Sequence, residues 1–378
     1  MFKTVLKNIK TILKNIIIKM PLKYVIFESV PDLSDNTRAV FDEMISRGIN
    51  KKYKFVWLVS DSTKITQKIE NTVFVDFENN SVKLLYYKLR AKSLIFCNSL
   101  IEKANDKTIS FYLTHATQIK DSSSYYRVPE DIDYCFVTAE AFKPLMSKVY
   151  GIDERKMVAS GFPRNDILFK SSPRAHQIFE NKFDKIIVWY PTFRQSKGGR
   201  VVEGCNSMPI IHDEKLAIKI NETLKEKNIL IVLKPHFAQD VSYLTKLDLS
   251  NIRIIDDLFF VKNGISSYEF VAGCDALLTD YSSIYFDYLA CDKPIGVVWE
   301  DIEFYRQNRG FCMDIDYYMS GAEKIYTVDD FLNFIQHLHL GDDVAKSQRQ
   351  QIRKLAHDSF EGNNTSTVVD FIIDKMNL

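Results

Sequence analysis

Short apolar runs rich in β-branched and aromatic residues alternate with helical patterns along most of the chain. Continuous apolar runs are typical of parallel strands buried on both faces, and their alternation with helices is typical of βαβ units. The alternation occurs twice, on either side of a polar interval at residues 171–184. The sequence therefore predicts an α/β protein with two doubly wound, Rossmann-like domains that face each other across a cleft.

The predicted strands before the interval are YVIFES, KFVWLVS, TVFVDF, SLIFCNS, SFYLTH and YCFVTA, and those after it are KIIVWYPTF, NILIVLKPH, IRIID, DALLTD and PIGVVW. Helices are predicted between them, including SVKLLYYKLRAK, AEAFKPLMSKVY and IYFDYLA. The predicted domains are residues 21–175 and 176–355. A C-terminal helix at 356–378 follows, and its return to the N-terminal domain is one option.

The first 23 residues contain six lysines and no acidic residue, although the whole chain has a net charge of only +1. Apolar residues recur there at helical spacing, so residues 1–20 are predicted to form a basic amphipathic helix. Such a helix suits an anionic membrane surface, which predicts a peripheral protein on the cytoplasmic face of the cell membrane. The alternative is packing on the protein's own body or on a second copy, which leaves a homo-oligomer open.

Composition excludes several other classes. The six cysteines form no CxxC pair, which argues against a zinc knuckle or a disulfide framework. No apolar run approaches twenty residues, and no second basic stripe with interleaved aromatic residues indicates nucleic-acid binding. GxGxxG, GxxxxGK[ST], GxSxG and HExxH are all missing from the sequence, so NAD, P-loop, α/β-hydrolase and zincin chemistry lose their main support.

In open parallel sheets, ligands bind beyond the carboxyl ends of the strands. One predicted strand ends in Asp280-Tyr281-Ser282-Ser283 and passes directly into a helix. The unpaired N–H groups of a helix start and two serine hydroxyls can hold a phosphate or diphosphate. The alternative is plain capping, in which Asp280 or Ser282 satisfies the helix start.

Two histidines also follow predicted strands. His236 comes two residues after Lys234, so both side chains extend from one face of the strand end. His115 holds the corresponding place in the first half, which suggests a general base on one domain and charge stabilisation on the other. The remaining histidines are interpreted as structural: His176, His212, His337, His339 and His357.

Arginines at two loop entries can bind phosphate oxygens in bidentate fashion. Arg164 lies in GFPRND, and Arg194 lies in YPTFR together with Thr192. The alternative for each is an ordinary surface arginine. The DxD pairs at Asp131 and Asp314 are too unspecific to indicate a metal site, so no metal ligand is predicted and a divalent-metal requirement stays open.

The order of several of these segments resembles the CDP-glycerol:poly(glycerophosphate) glycerophosphotransferase family, which includes teichoic acid primases and polymerases and related capsule enzymes. The segments are FES, DNTRAVFDEM, LTHAT, GFPRND, YPTFR, LKPHF and LLTDYSSIYFDYLACDKPI, and they span about residues 22–300. LTHAT departs from the family's Trp-His-Gly-Thr, because Ala116 stands where glycine is usual. LKPHF also differs around its histidine.

The resemblance implies a GT-B architecture, a CDP-glycerol or CDP-ribitol donor held mainly by the second domain, no tightly bound cofactor, and a lipid-linked glycan acceptor. It implies that His115 and His236 are the functional pair and that Ser282, Ser283 and Arg164 contact the diphosphate. The expected reaction transfers an alditol phosphate to an acceptor hydroxyl and releases CMP. The alternatives are a GT-B glycosyltransferase that uses a nucleotide sugar and a non-catalytic membrane assembly subunit.

Overall fold

The computed structural model of this chain describes residues 16–77, 82–123, 126–192, 208–235, 239 and 241–377. Residues 1–15 of the predicted amphipathic helix therefore lie outside the described residues, as do Arg194 and His236. Within those ranges, the structure has no helix that is both long enough and apolar enough to cross a membrane.

The described residues form parallel strands connected mainly by helices. The strands are β1 Tyr24–Glu28, β2 Lys54–Val59, β3 Thr72–Asp76, β4 Ala91–Phe96, β5 Ile109–Tyr112, β6 Tyr134–Val137, β7 Met157–Ala159, β8 Lys185–Trp189, β9 Ile229–Leu233, β10 Ile252–Ile254, β11 Ala276–Thr279, β12 Ile295–Val298 and β13 Glu323–Ile325. The helices are α1 Asp35–Ser46, α2 Val82–Leu89, α3 Lys143–Tyr150, α4 Arg174–Ile178, α5 Glu214–Glu226, α6 Ser242–Thr245, α7 Asp257–Lys262, α8 Ser267–Gly273, α9 Ile284–Tyr288, α10 Ile302–Asn308, α11 Ile315–Tyr318, α12 Val328–Leu340, α13 Lys346–Ala356 and α14 Asn364–Met376.

The chain divides into two compact units. Unit 1 comprises residues 1–115, 126–166 and 363–378, and unit 2 comprises residues 116–125 and 167–362. The division therefore falls after Asp166 rather than after residue 175. The C-terminal helix α14 belongs to unit 1, whereas α13 belongs to unit 2.

Each unit is built on one parallel sheet. The sheet of unit 1 has the strand order β3-β2-β1-β4-β5-β6-β7, and that of unit 2 has the order β10-β9-β8-β11-β12-β13. In both sheets the chain winds outward in one direction, returns to the middle and winds outward in the other direction. This is the doubly wound order 3-2-1-4-5-6 of Rossmann folds, so the predicted α/β class with two parallel sheets is confirmed.

Apolar strand residues and one face of the covering helices form each core. In unit 1, Val25 and Phe27 of β1 pack with Val40 and Phe41 of α1, and Val369 of α14 joins the same cluster. All five side chains are fully buried. The spacing of buried residues on α1 and α14 matches the helical period, so both helices cover the sheet of unit 1 with one face.

The core of unit 2 is built in the same way. Ile187 and Ile231 of the central strands pack with Ala217 of α5 and Phe334 of α12. The helix α12 begins with a capping box between Thr327 and Asp330, which satisfies the first backbone N–H groups.

Two short edge strands, β7 and β13, were not among the predicted strands. Each has three residues, which is too short for a periodic pattern to stand out. The predicted helix SVKLLYYKLRAK also runs too far, because α2 ends at Leu89 and β4 begins at Ala91. Arg90 lies between α2 and β4. Its side chain donates to the carbonyl oxygen of Pro21, and its carbonyl oxygen accepts the backbone N–H groups of Lys23 and Tyr24.

Candidate functional site

The strand order defines one point in each sheet where neighbouring strands connect in opposite directions. In unit 2 this point lies between β8 and β11, and in unit 1 it lies between β1 and β4. Ligands of open α/β sheets bind in the crevice outside the carboxyl ends of the strands at such a point. The residues after β8 and β11 are Thr192 and Asp280 to Ser283, so four predicted site residues meet at this position of unit 2.

Asp280 connects the two strand ends. Its carboxylate is fully buried and accepts hydrogen bonds from Thr192 N at 2.8 and 3.0 Å, from the Thr192 hydroxyl and from Tyr281 N at 2.6 Å. Thr192 is itself only 9% exposed. The pair therefore fixes the backbone on both sides of the crevice, and this interaction keeps the segment after β11 in place.

Ser282 and Ser283 are partly exposed beside that pair. Ser283 precedes α9, and its side chain makes no capping hydrogen bond. Among the described residues, neither serine hydroxyl has a hydrogen-bond partner. Plain capping by these serines is thus not what the structure contains, and both hydroxyls are available as donors to a ligand.

Tyr281 holds the same segment from the other side. Its fully buried ring stacks on Tyr305 with centroids 4.0 Å apart, and its hydroxyl donates to Asp301 Oδ1 at 2.8 Å. The four residues of DYSS therefore differ in their environment. Asp280 and Tyr281 point inward and are bonded to the protein, whereas the two serines remain at the surface.

Lys234 lies at the carboxyl end of β9, next to β8. Its Nζ is 3.1 Å from a carboxylate oxygen of Asp257, whose side chain is 84% exposed. An ion pair with so exposed a partner contributes little to stability, so a phosphate can replace the carboxylate at low cost. Lys234 also lies over the ring of Tyr190, at 5.9 Å from the centroid.

A cavity of about 490 Å³ opens beside Lys234. It lies at the carboxyl ends of β9 and β10. Polar, basic, acidic and aromatic side chains contribute to its wall, and they include Gln239, Arg253, Asp256, Phe259, Lys262 and Asn263. Adjacent strands are about 4.8 Å apart, so the three steps from β10 to β11 amount to roughly 14 Å. An extended nucleoside diphosphate spans a comparable distance.

His115 lies in unit 1, just beyond the carboxyl end of β5. Its Nδ1 is 3.2 Å from the carbonyl oxygen of Cys97, which follows β4. A carbonyl only accepts, so Nδ1 carries the proton in the neutral ring and Nε2 has the lone pair. This is the tautomer that a general base at Nε2 requires.

Arg164 lies beside His115 in unit 1. Its guanidinium donates to Asp35 Oδ1 and to the carbonyl oxygen of His115, both at 2.6 Å, and the side chain is only 11% exposed. Its backbone N–H donates to Asn36 Oδ1 at 3.1 Å. Arg164 is therefore part of the immediate support of His115 within unit 1.

Two residues of this cluster have a strained backbone. Thr114, directly before His115, has φ of +51°, and Asp35 has φ of +60°. A β-branched residue in the left-handed region is unusual, and each such residue costs about 1–3 kcal/mol. The positive φ thus falls on Thr114 and not on Ala116. The Thr114 hydroxyl donates to Phe136 O at 2.9 Å and helps to stabilise this conformation.

The GFPRND motif also has a structural part. Asp166 accepts the backbone N–H groups of Asn364 at 2.8 Å and Thr365 at 2.9 Å, and so caps the first turn of α14. Gly161 has φ of +73°, and a Cβ there would lie 2.3 Å from Asn364 Oδ1. The motif therefore anchors the C-terminal helix to unit 1 and presents Arg164 to His115.

The other sequence candidates have local partners. His176, His212 and His337 bond to Asp275, Glu300 and Glu323, respectively, and His357 bonds to Phe286 O. His339 is exposed on α12. Asp314 caps α11, and Asp133 pairs with Lys103. The described residues contain no group of three or more His, Cys, Asp and Glu side chains that could hold a metal ion.

Asn36 and Asp35 were not among the predicted site residues. Asn36 is fully buried and contacts residues that are 78 and 128 positions away in the chain. From sequence alone, an asparagine at a helix start is interpreted as a helix cap. Only the DNTRAVFDEM segment as a whole, which the resemblance includes, indicated that Asn36 belongs to the site.

Two doubly wound sheets with polar clusters at their strand ends are typical of two-domain proteins that bind nucleotides. Residues 12–374 match the model of the CDP-Glycerol:Poly(glycerophosphate) glycerophosphotransferase family. The chain therefore belongs to that family and is an enzyme of the glycerophosphotransferase type.

The chain is similar to several curated teichoic acid enzymes. It is 26% identical over 361 residues to the teichoic acid poly(glycerol phosphate) polymerase of Bacillus spizizenii. The aligned region covers 83% of this chain and 84% of the relative. It is 24% identical to the teichoic acid glycerol-phosphate primase of Bacillus subtilis, over 62% of this chain and 58% of that protein.

Solved structures share the fold. The wall teichoic acid polymerase TagF superposes with a TM-score of 0.70 at 19% identity, over 100% of this chain and 97% of that chain. A TagF variant soaked with CDPG gives a TM-score of 0.67 at 21% identity, with the same coverage.

Proposed function

We propose that this protein transfers a glycerol-phosphate or ribitol-phosphate unit from a CDP-alditol to a hydroxyl group of a lipid-linked glycan acceptor and releases CMP. The proposed setting is the synthesis of teichoic acid or of a related capsule polymer at the cytoplasmic face of the membrane. In this proposal, the two units have a GT-B arrangement, with unit 1 receiving the acceptor and unit 2 holding the donor.

The observation that carries the proposal is the pair of uncommitted serine hydroxyls at the switch point of unit 2. Ser282 and Ser283 follow Asp280, whose buried bonds to Thr192 fix the backbone of this segment. Lys234 follows β9, which lies two strands from β11 in the sheet. Hydroxyl and ammonium donors at a strand end form a site for a diphosphate. Asp280 acts by holding the donor groups in position, since a carboxylate does not itself attract phosphate.

The cavity at the ends of β9 and β10 is the proposed nucleoside subsite. Its wall offers the Phe259 ring and the amide groups of Gln239 and Asn263, which suit a planar base with hydrogen-bonding edges. With the base there and the diphosphate at Lys234 and Ser282, the alditol end of the donor would extend beyond β11. Arg194 and His236 remain proposed contacts of the diphosphate and of the transferred phosphoryl group.

The proposed reaction is an in-line displacement at the β-phosphorus. The acceptor oxygen forms a new P–O bond, while the bond from the β-phosphorus to the bridging oxygen breaks and CMP departs with that oxygen. Nε2 of His115 accepts the proton of the attacking hydroxyl. The donors of unit 2 stabilise the charge that develops on the phosphoryl oxygens, which is the main requirement of phosphoryl transfer.

The test is CMP release from CDP-glycerol or CDP-ribitol with a lipid-linked acceptor. We expect His115→Ala to lower the rate by about 10²–10⁴-fold, the usual contribution of a general base, and to leave CDP-alditol binding intact. His339→Ala, which changes an exposed histidine, is the matched control and should behave like the wild type.

Product analysis distinguishes the alternatives. An alditol joined through a phosphodiester supports the proposal, whereas a glycosidic bond would assign the protein to nucleotide-sugar chemistry. Binding of CDP-alditol without CMP release, with every acceptor tested, would identify a non-catalytic subunit. Normal turnover by His115→Ala would remove the assigned role of that residue.

A further inference from the structure

The Asn36 side chain connects the two chain segments that hold His115. Its Nδ2 donates to the carbonyl oxygen of Thr114 at 2.9 Å, and its Oδ1 accepts the backbone N–H of Arg164 at 3.1 Å. The residue is fully buried, so both bonds are shielded from water. One amide group thus links the start of α1 to the end of β5 and to the loop after β7.

These bonds fix the backbone on both sides of His115. The Thr114 carbonyl belongs to the peptide group that precedes His115, and it is held by Asn36. The His115 carbonyl belongs to the peptide group that follows, and it is held by the Arg164 guanidinium, which Asp35 orients in turn. The imidazole makes a further bond, from Nδ1 to the carbonyl oxygen of Cys97.

The conformation held in this way is not one that the chain adopts readily. Thr114 and Asp35 both have positive φ, and both contact Asn36: Thr114 through its carbonyl, and Asp35 through Oδ1, which accepts the Asn36 backbone N–H at 2.7 Å. Strained residues persist only where the surrounding bonds over-determine them, and they are concentrated at functional sites. Asn36 is the residue common to these bonds.

We infer that Asn36 is a positioning residue for the general base: it sets the direction in which Nε2 of His115 faces the acceptor hydroxyl, and Arg164 acts with it. This inference rests on the proposed function of His115. Asn36 does not touch the donor in this assignment, so its loss should lower kcat and leave the KM for the CDP-alditol unchanged. Misplacing a reacting group by about 1 Å can lower a rate by about 10²-fold.

Unit 1 contains a matched control. Asn105 is 4% exposed; its Nδ2 donates to the Leu89 carbonyl at 2.7 Å, and its Oδ1 accepts the Lys107 backbone N–H at 3.0 Å. The same atoms therefore make the same kinds of bond, but just before β5, at the opposite end of the strand from His115. Substitutions of Asn105 reproduce the loss of a buried amide without disturbing the His115 backbone.

The experiment compares Asn36→Ala and Asn36→Asp with Asn105→Ala and Asn105→Asp. Asn36→Asp keeps an acceptor for Arg164 N and replaces the donor to Thr114 O with a carboxylate oxygen, so it breaks the connection to Thr114 and retains the one to Arg164. We expect kcat for CMP release to fall about 10–100-fold in both Asn36 variants and to stay near the wild-type value in both Asn105 variants. Urea unfolding of all four proteins measures the structural cost.

A second measurement does not depend on turnover. Long-range ¹H–¹⁵N spectra of histidine-labelled protein report which ring nitrogen is protonated, and the His115 signal is identified by its loss in His115→Ala. We expect the wild-type protein to show Nδ1–H at His115. The Asn36 variants should show a mixture of tautomers, whereas the Asn105 variants should match the wild type.

Each outcome decides the inference. A folded Asn36 variant with wild-type kcat and a single His115 tautomer overturns it, and so does global unfolding of both Asn36 variants while the Asn105 variants remain folded. If the wild-type protein releases no CMP, the proposed function fails, but the tautomer spectra still test the positioning role. If His115→Ala loses activity and the Asn36 variants do not, the positioning role alone fails.

Discussion

The serines after β11 allow a direct separation of ligand binding from helix capping. In the described residues, the hydroxyls of Ser282 and Ser283 have no hydrogen-bond partner, so replacing either by alanine removes no bond within the described protein. Substitutions of this kind usually change the free energy of unfolding by no more than about 0.5 kcal/mol. A hydrogen bond to a charged phosphate, in contrast, contributes about 1.5–3 kcal/mol to binding.

The expected result of Ser282→Ala or Ser283→Ala is therefore a weaker complex with CDP-glycerol and an unchanged stability. Because 1.4 kcal/mol corresponds to a factor of ten in Kd, each substitution should weaken binding about 10–100-fold. Isothermal titration calorimetry with CDP-glycerol measures the affinity, and urea unfolding measures the stability.

Ser266 provides the control, because it is a true helix cap in the same unit. Its hydroxyl oxygen accepts the backbone N–H of Glu269 at 3.0 Å at the start of α8. Ser266→Ala should lower the free energy of unfolding by about 0.5–2 kcal/mol and leave the affinity for CDP-glycerol unchanged. The reasoning is refuted if the Ser282 and Ser283 variants bind like the wild type, or if they lose stability as Ser266→Ala does.

Two further predictions concern the stability of unit 2. The buried Arg349 pairs with Asp292 and Asp343, so Arg349→Met leaves two carboxylates without their cation. Urea unfolding should show a free energy of unfolding that is lower by about 3–5 kcal/mol. The control Arg38→Met, at an exposed pair with Asp42, should lower it by less than about 1 kcal/mol. Burial lowers the pKa of His357 to about 4, below its unfolded value near 6.5. The contribution of His357 to the free energy of unfolding should therefore be complete above pH 6.5 and fall by about 3 kcal/mol as the pH drops to 4. His357→Gln should remove this pH dependence of the free energy of unfolding, and an unchanged pH dependence would contradict the assignment.

Local sequence patterns were sufficient for most strands and for the places where function is proposed. The apolar runs that form β1, β8 and β9 are continuous, and polar residues follow each of them within three positions. In parallel sheets, carboxyl ends of neighbouring strands lie on one edge, so a search limited to strand ends is a search of the edge where function is proposed. That argument located His115, Lys234 and Ser282 without any knowledge of which strands are neighbours.

The roles of individual polar residues were harder to assign from sequence. Asp280 and Ser282 both follow β11, in the segment that the sequence predicts as an anion site. The structure bonds Asp280 to Thr192, 88 residues away, whereas Ser282 has no such partner among the described residues. Local sequence cannot separate these cases, because the partner that occupies Asp280 comes from a different strand of the sheet.

Arg164 illustrates the same limitation. An arginine after a strand suits a phosphate, and its sequence neighbours do not indicate otherwise. Its partners, Asp35 and His115, are 129 and 49 residues away, and they engage the guanidinium within unit 1. The guanidinium is therefore bonded to neighbouring residues of unit 1, and only tertiary contacts could reveal these bonds.

In both units, buried hydrogen bonds fix the backbone of a strand-end loop beside the proposed functional side chain. A flexible strand-end loop can bind or react selectively only if its backbone is fixed, and the groups that fix it are not available for the ligand. In unit 2, Asp280 and Thr192 bond to each other, and the hydroxyl of Ser282 stays available. In unit 1, Asn36 and Arg164 hold the peptide groups on either side of His115. Mutation of the fixing residues should therefore change rates or stability, whereas mutation of the serines should change donor affinity.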